Sequence, residues 1–336
     1  MTKGGTAKPT LVSLARDLGV SRQTVSNALN APQMLKSETR ERVLAAIRAS
    51  GYRPSVVGRA LRTQRSMNLG FRLFPAVDGI NGQVMDRFLH NLTLQAQQHG
   101  YRLTLFASDS YADEVEALIE QHRGGVIDGC VLTNTHDEDL RPHLLSAAGV
   151  PTVAFGRPWG ESDAKHAWLD IDGASGCRAA VRHLRDAGHT TIGFLGWPLG
   201  PGVGDDRRDG WLQGMAGLAT DGLQVEVEDG ARHGSQGADE LLANGATAIV
   251  CASDSLALGA LTSLSRQGHA ALPVFGFDDT PIAAAIGLSS IAQPVEEAAE
   301  RLISMALAEL RGGEPGQRQV LLAPRLVIRS PETFIS

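Results

Sequence analysis

The feature that most constrains the fold is a regular alternation of short apolar runs with amphipathic helical stretches, which begins at Asn68. The runs LGFRLF, RLTLFA, GCVLT and TVAF are separated by stretches with helical periodicity near Gln83–His99 and Asp113–His122. The alternation resumes after HAWLDID with TIGFLG, AIVCAS and VFGFDD. Strands that alternate with helices form parallel sheets. The length allows two such α/β lobes side by side, with a cleft between them.

Polar and aromatic side chains follow several of these predicted strands. They are Arg157, Trp159, Asp172, Trp197 and Asp278, and Arg207 opens a helix after a glycine-rich loop. Ligands bind at the carboxyl ends of parallel strands. Carboxylates and guanidinium groups pair with vicinal hydroxyls, and an indole packs on a sugar face. These residues are therefore predicted to bind a small molecule, although a purely structural role stays open for Arg157, as a salt bridge, and for Asp172.

A second pattern precedes the sheets. Leu14, Ala15 and Leu18 share one helical face, Gly19 allows a tight turn, and Ser21 can cap a second helix. This spacing is typical of a helix-turn-helix. A third helix, with Ser37 as its predicted cap, completes a small all-α head.

The second helix of this head carries side chains that can read DNA bases. Arg22, Gln23 and Asn27 lie at its start and on one outward face. Arginine pairs bidentately with guanine, and glutamine or asparagine pairs with adenine, in the major groove. Residues 1–65 hold twelve lysines and arginines against three acidic residues, a net charge of +9, whereas the remainder carries −15. The basic end is therefore predicted to bind a polyanion.

The segment after the head is a short, basic, conditionally folded helix. Pro54 can open it, Arg59 lies on it, and Leu61 is its large apolar side chain. An exposed leucine on such a helix is predicted to act as a minor-groove wedge. An ordinary linker, whose leucine rests on the next domain, is the alternative.

The segment TLVSLARDLGVSRQTVSNALN, followed by SETRERVLAAIRASGYRPSVVGRALR, resembles the head and hinge of the lac repressor (LacI/GalR) family of bacterial transcription regulators. The resemblance covers the whole chain. The full set of predicted DNA contacts is Ser21, Arg22, Gln23, Thr24, Asn27, Tyr52, Arg59 and Leu61. Two positions depart from the family pattern, because Ser55 replaces an asparagine and Gly58 an alanine. Glycine costs about 0.5–1 kcal/mol of helix stability relative to alanine, so the hinge helix is expected to fold less readily.

The resemblance also implies a periplasmic-binding-protein-like core of two parallel-sheet lobes. The expected domains are a head over 1–53, a hinge over 54–66 and an effector-binding and dimerisation core over 67–336. Lobe 1 is expected to span about 67–187 and 295–325, and lobe 2 about 188–294 and 326–336. The family's effector contacts match Asp172, Arg207 and Asp278, with Ser253 where an asparagine is more usual. Asp254 is predicted to cap a helix, and Trp211 to pack in the interior.

Other classes of protein find little support in the sequence. No apolar run suits a signal peptide or a membrane span, so a cytoplasmic location is expected. The three cysteines are predicted to be buried and reduced. The ten histidines have no metal-ligand spacing and no G-x-S-x-G motif is present, so no catalytic residue, metal or cofactor is predicted.

The sequence therefore predicts a sequence-specific DNA-binding regulator, a repressor, that acts as a homodimer on double-stranded operator DNA. A small molecule, a mono- or oligosaccharide, is expected to switch its affinity. Two-fold symmetry doubles the base contacts of a single head. The alternative is a cytoplasmic sugar-binding or sugar-modifying protein with a basic accessory arm.

Overall fold

The computed structural model of the chain describes residues 9–52, 65–74, 82–161, 163–312 and 318–329. The chain divides into two compact units, Met1–Arg65 and Ser66–Ser336.

The first unit is a three-helix head. Its helices are α1 (Leu11–Leu18), α2 (Arg22–Asn30) and α3 (Ser37–Ser50), with a 3₁₀ turn at Pro32–Met34. Gly19 ends α1 with a left-handed φ of 63°, and the Ser21 side chain caps α2 by accepting the Thr24 N–H. The head core consists of Leu14, Ala15, Val25, Ala28, Val43 and Ile47. The prediction that Ser37 caps α3 is wrong, because the helix begins at Ser37 and its N-cap is Lys36, which makes no side-chain cap.

The second unit is built from strands and helices in alternation. Its strands are β1 (Asn68–Arg72), β2 (Arg102–Phe106), β3 (Gly129–Leu132), β4 (Thr152–Phe155), β5 (Ala167–Ile171), β6 (Ile192–Gly196), β7 (Gln224–Glu226), β8 (Ala248–Cys251), β9 (Val274–Asp278), β10 (Ser289–Ala292), β11 (Gln319–Leu322) and β12 (Arg325–Val327). Its described helices are α4 (Gly82–Gln98), α5 (Tyr111–Arg123), α6 (Arg141–Ala147), α7 (Gly173–Asp186), α8 (Val203–Gly214), α9 (Ala231–Ala243), α10 (Asp254–Arg266), α11 (Pro281–Ala285) and α12 (Val295–Arg311).

The strands form two sheets, one in each lobe. In lobe 1 the strand order is β11-β5-β4-β3-β1-β2, and the paired strands are parallel. In lobe 2 the order is β12-β10-β9-β8-β6-β7, parallel except for the β10–β12 pair. The predicted architecture, a helical head and two parallel-sheet lobes, is confirmed.

The first chain crossing between the lobes lies earlier than predicted. The apolar face of α7 packs into the core of lobe 2 through Cys177, Ala180, Val181 and Leu184. The chain therefore leaves lobe 1 near Asp172, before α7, and the predicted boundary near residue 187 is wrong. The sequence could not show this, because α7 can cover either sheet and only its packing decides. The other two crossings lie near Pro294 and between β11 and β12.

The interior of the core agrees with the predictions for its unusual side chains. Trp211 is fully buried, and its indole N–H donates to the Ile192 carbonyl oxygen at 3.1 Å. All three cysteines are free and buried. Across the ranges that the structure describes, no helix combines the length and the apolar character that a membrane crossing requires.

Candidate functional sites

The second helix of the head presents a polar, solvent-facing surface. Ser21, Arg22 and Gln23 are exposed, whereas Thr24 and Asn27 are partly buried. The Gln23 side-chain amide donates to Asn27 Oδ1 at 2.8 Å. This pair, one turn apart, orders the two amides before any ligand arrives. The geometry suits readout of base edges by the start of a recognition helix.

The remaining predicted DNA contacts differ in how they are placed. Tyr52 packs against the hydrophobic core of the head. Arg59 and Leu61, the hinge residues, lie outside the described residues, and so do Ser55 and Gly58.

At the carboxyl edge of lobe 2, the guanidinium of Arg207 lies next to the carboxyl group of Asp278, and both are buried. Both residues are 6% exposed. Arg207 Nη2 lies 3.7 Å from Asp278 Oδ1, beyond hydrogen-bond distance. Arg207 Nη1 donates to the Ala252 carbonyl oxygen, and its guanidinium carbon lies 3.7 Å from the centroid of the Phe277 ring. Arg207 Nε is buried and finds no hydrogen-bond partner among the described residues.

Asp278 is strained as well as buried. It ends β9 with a φ of 113°, which L-residues rarely adopt. The Gln293 side-chain amide donates to its Oδ1 at 2.6 Å. Burial raises the pKa of Asp278 to about 7, against the opposing effects of the Arg207 charge and the Gln293 hydrogen bond. Strain, burial and a shifted pKa in one side chain are typical of functional sites.

Two more predicted residues join this cluster through Asp229. Asp229 Oδ1 accepts hydrogen bonds from Trp197 Nε1 at 3.1 Å and from Ser253 Oγ at 2.6 Å. The Trp197 ring centroid lies 5.2 Å from the guanidinium carbon of Arg207. The structure thus brings together Trp197, Arg207, Ser253 and Asp278 at the ends of neighbouring strands.

Arg157 connects the two lobes. Its Nε donates to Asp170 Oδ2 at 2.6 Å, and its Nη2 donates to the Ile171 carbonyl oxygen at 3.0 Å, both within lobe 1. Nη1 and Nη2 also reach Asp206 on α8 of lobe 2, at 3.2 and 3.3 Å. Burial raises the pKa of Asp206 against the attraction of Arg157. The salt-bridge alternative for Arg157 is therefore realised, and the bridge spans both lobes.

Trp159 and Asp172 do not join the lobe 2 cluster by any described contact. The Trp159 ring lies 4.8 Å from the guanidinium carbon of Arg157 and borders a cavity of about 430 Å³ on lobe 1. Asp172 caps α7, because its Oδ1 accepts the Ser175 N–H at 2.9 Å. One of its oxygens thus has a structural role, and the predicted ligand contact depends on the other.

Sequence reasoning missed Gln293, Asp229 and Asp206. Asp206 adjoins Arg207, and Gln293 directly follows β10, so the same rule of polar residues at strand ends would have found Gln293. The prediction that Asp254 caps a helix is wrong, because Ser253 is the N-cap of α10. Asp254 instead accepts hydrogen bonds from the Thr280 backbone and from the Thr280 and Ser290 hydroxyls.

Comparisons with known proteins agree with both parts of the molecule. The family described as bacterial regulatory proteins, lacI family, matches residues 10–55, and the periplasmic binding protein-like domain matches residues 181–330. The HTH-type transcriptional regulator RafR of Escherichia coli is 31% identical over 329 residues, which cover 94% of this chain and 96% of that protein.

Solved structures extend the likeness. A regulatory protein of the LacI family from Chloroflexus aggregans is 32% identical, with a TM-score of 0.74 over 79% of this chain and 98% of that one. A complex of the transcriptional regulator CelR with cellobiose is 27% identical, with a TM-score of 0.69 over 96% of this chain and 99% of that one. The chain therefore belongs to the LacI family of bacterial transcriptional regulators.

Proposed function

We propose that this chain is a repressor that binds a pseudo-palindromic operator as a homodimer and changes its operator affinity when a saccharide binds between its lobes. Residues 1–53 would contact DNA, residues 54–66 would form the hinge, and the core would bind the saccharide and dimerise. No step of this function requires a catalytic residue, a metal or a cofactor.

The incompletely bonded pair Arg207–Asp278 carries the proposal for the saccharide. Arg207 Nε has no hydrogen-bond partner among the described residues, and the Asp278 carboxyl group lies beyond hydrogen-bond distance of the guanidinium, so each can gain hydrogen bonds from a ligand. Vicinal hydroxyls supply both donors and acceptors, and the Trp197 indole offers an apolar face. The cellobiose complex of the related regulator CelR supports a saccharide as the ligand class.

Exposed leucines at the β2 edge of the lobe 1 sheet support the proposal of a homodimer. Strand β2 ends the strand order of lobe 1, and its Leu105 is 47% exposed. Leu73, which continues from the adjacent β1, is 40% exposed. Apolar side chains on an edge strand favour association with a second surface, and a symmetric contact is the commonest form. Two heads related by this symmetry would read two operator half-sites.

The Arg157–Asp206 bridge supports a mechanism for the switch. A saccharide held by lobe 2 side chains next to Asp206 would favour one relative position of the lobes. Ligand binding can shift operator affinity only through a difference in affinity for two core states. The Arg157–Asp206 bridge can form in one of these two core states and be broken in the other.

The DNA-reading part is tested by selecting a preferred duplex from a random library with the wild-type full chain. We expect Gln23→Ala to weaken binding to that duplex by about 1–3 kcal/mol and to relax preference at one base pair of each half-site. Binding to random-sequence DNA should barely change. An equal loss on both DNAs would contradict base readout by Gln23. Gln121→Ala, which changes a glutamine of the core, is the matched control.

The saccharide part is tested by a thermal-shift screen of mono-, di- and trisaccharides with the wild-type chain. We expect Asp278→Ala and Arg207→Ala each to weaken the saccharide found by about 1.5–3 kcal/mol, the range for hydrogen bonds to charged groups. Intrinsic tryptophan fluorescence measures the affinity, because all four tryptophans lie in the core. Wild-type affinity in both variants would place the saccharide elsewhere.

A further inference from the structure

The chain enters the core through a compact set of hydrogen bonds centred on the Asp128 carboxylate. The Ser66 N–H and hydroxyl donate to Asp128 Oδ1 at 2.6 and 2.7 Å, and the Met67 N–H donates to Oδ2 at 3.0 Å. The Asn68 N–H donates to Ser66 Oγ at 3.2 Å. Ser66 is buried. We call these four residues the entry clamp.

The backbone within the entry clamp has an unusual conformation. Met67 has a φ of 59°, in the left-handed region that L-residues other than asparagine and aspartate seldom occupy. Its carbonyl oxygen accepts the Arg102 N–H at 2.9 Å, while its N–H is held by Asp128. A conformation of this kind persists only where its surroundings hold it from several sides. The clamp therefore imposes a specific bend on the chain just before β1.

Asp128 is itself held by the sheet. It directly precedes β3, which pairs with β1, and its N–H donates to the Asn68 carbonyl oxygen at 2.8 Å. The Asn68 side-chain amide donates to the Val126 carbonyl oxygen at 3.0 Å. The clamp lies at the amino ends of β1 and β3 in lobe 1, whereas the proposed saccharide site lies at the carboxyl ends of strands in lobe 2. Strand β1 runs from the clamp, at the amino ends of the parallel strands of lobe 1, toward their carboxyl ends.

We propose that Asp128 is a positioning residue for operator binding, which fixes the backbone conformation of Ser66 and Met67 where the chain enters the core. This inference rests on the proposed DNA-binding function. With this conformation fixed in both protomers of a dimer, the hinges start from defined positions, and less conformational freedom is lost when the heads bind their half-sites. Without the carboxylate, three donors lose their acceptor and the left-handed bend at Met67 loses its support.

The test compares Asp128→Ala with wild type on a duplex that the wild-type full chain selects from a random library. We expect the affinity for that duplex to fall by about tenfold or more, because residues 66 and 67 of each protomer must be ordered again on binding. Affinity for random-sequence DNA should stay close to wild type. The melting temperature of the core should also stay close to wild type, because local opening at residues 66 and 67 lets the released donors bond to water. Ser66→Ala keeps both N–H donors, so its loss should be smaller. Asp109→Asn, an exposed carboxylate of the same lobe, is the control.

Limited trypsin digestion gives a second readout. Arg65 directly precedes the clamp, so cleavage after Arg65, identified by mass, should be faster in Asp128→Ala than in wild type. Wild-type affinity for the selected duplex in Asp128→Ala would overturn the inference. An equal loss on random-sequence DNA, or a loss matched by a lower core melting temperature, would also overturn it, because Asp128 would then be a stabilising residue only. Failure of the wild-type chain to select any duplex would instead overturn the proposed DNA-binding function.

Discussion

The two lobes each place arginines and carboxylates at the carboxyl edge of their sheet, but the two clusters differ in how completely they are bonded. In lobe 1, Glu114 is 1% exposed and accepts hydrogen bonds from Arg72 at 3.0 Å and from Arg141 at 2.8 Å. Arg141 also donates to Asp139 and to two backbone carbonyls of the preceding loop. Every nitrogen of the Arg141 guanidinium therefore has a partner.

In the described part of lobe 2, the Arg207 guanidinium donates to one backbone carbonyl, lies 3.7 Å from the Asp278 carboxyl group and has no partner for its Nε. A buried ion pair stabilises a fold only when its hydrogen bonds are nearly complete, because desolvation offsets the attraction. In the lobe 1 cluster Arg72 Nε alone lacks a partner among the described residues, while both arginines hydrogen-bond to the Glu114 carboxylate, so the cluster comes close to this condition. The lobe 2 cluster does not meet it, which leaves its polar atoms available to a ligand.

The largest expected effect is on the lobe 1 cluster. Glu114→Ala removes the carboxylate between two buried arginines, and we expect it to lower the free energy of unfolding of the core by about 3–5 kcal/mol. Urea denaturation measures this change. In the lobe 2 variant Asp278→Asn, no such loss of stability is expected at the same pH, because the carboxyl that it replaces is disfavoured in its charged form by burial. Equal losses of stability in the two variants would remove the difference between the lobes.

The next effect is on the pH dependence of stability. The folded state holds a proton on Asp278 up to about pH 7, whereas the unfolded carboxyl releases it near its usual pKa of 3.8. Folded protein binds more protons between these values, so this carboxyl makes stability fall as pH rises from 3.8 to about 7. At about pH 8, Asp278→Asn should therefore be more stable than wild type, by on the order of 2–4 kcal/mol.

Urea denaturation of Asp278→Asn and wild type across this range measures the difference, which should shrink as the pH approaches 4. Asp113→Asn, which changes an exposed carboxyl on lobe 1, is the control. A constant difference between Asp278→Asn and wild type at all pH values would show that the carboxyl of Asp278 is not held protonated by its surroundings.

The smallest effect concerns the bridge between the lobes. Asp206→Asn weakens the partly exposed contact with Arg157, and we expect a loss of saccharide affinity of about 1 kcal/mol or less. X-ray scattering of ligand-free Asp206→Asn should show a larger radius of gyration than that of ligand-free wild type, because the bridge holds the two lobes together. Asp205→Asn, on the same helix turn, is the control. An unchanged radius and unchanged affinity would make the bridge irrelevant to lobe closure.

Most of the fold could be predicted from the sequence, because the apolar periodicity and the residues that end or cap helices indicated the same elements. Apolar runs such as LGFRLF and VFGFDD became strands of parallel sheets, and Gly19 and Ser21 bounded the head helices as expected. Asp278 was predicted to bind a small molecule because it follows a predicted strand, and Arg207 was predicted to do so from the start of the helix that follows a glycine-rich loop.

The remaining features of the fold and of the candidate site depend on packing and on backbone conformation, which cannot be read from a single sequence. The lobe that α7 joins is decided by which core receives its apolar face. The role of Arg157 depends on Asp206, a partner 49 positions away on another lobe. Methionine seldom adopts the positive φ found at Met67, and the φ of 113° at Asp278 lies outside the left-handed region at about 60° that aspartate tolerates, so no local signal marks either position.

The central claim is that a saccharide held by Arg207 and Asp278 controls operator affinity. It is tested most directly by titrating the saccharide found in the screen into the complex of the full chain with a labelled selected duplex, followed by fluorescence anisotropy. We predict that the saccharide changes the operator affinity of the wild type, whereas Asp278→Ala binds the duplex like the ligand-free wild type and does not respond. A wild-type response in Asp278→Ala would contradict the account.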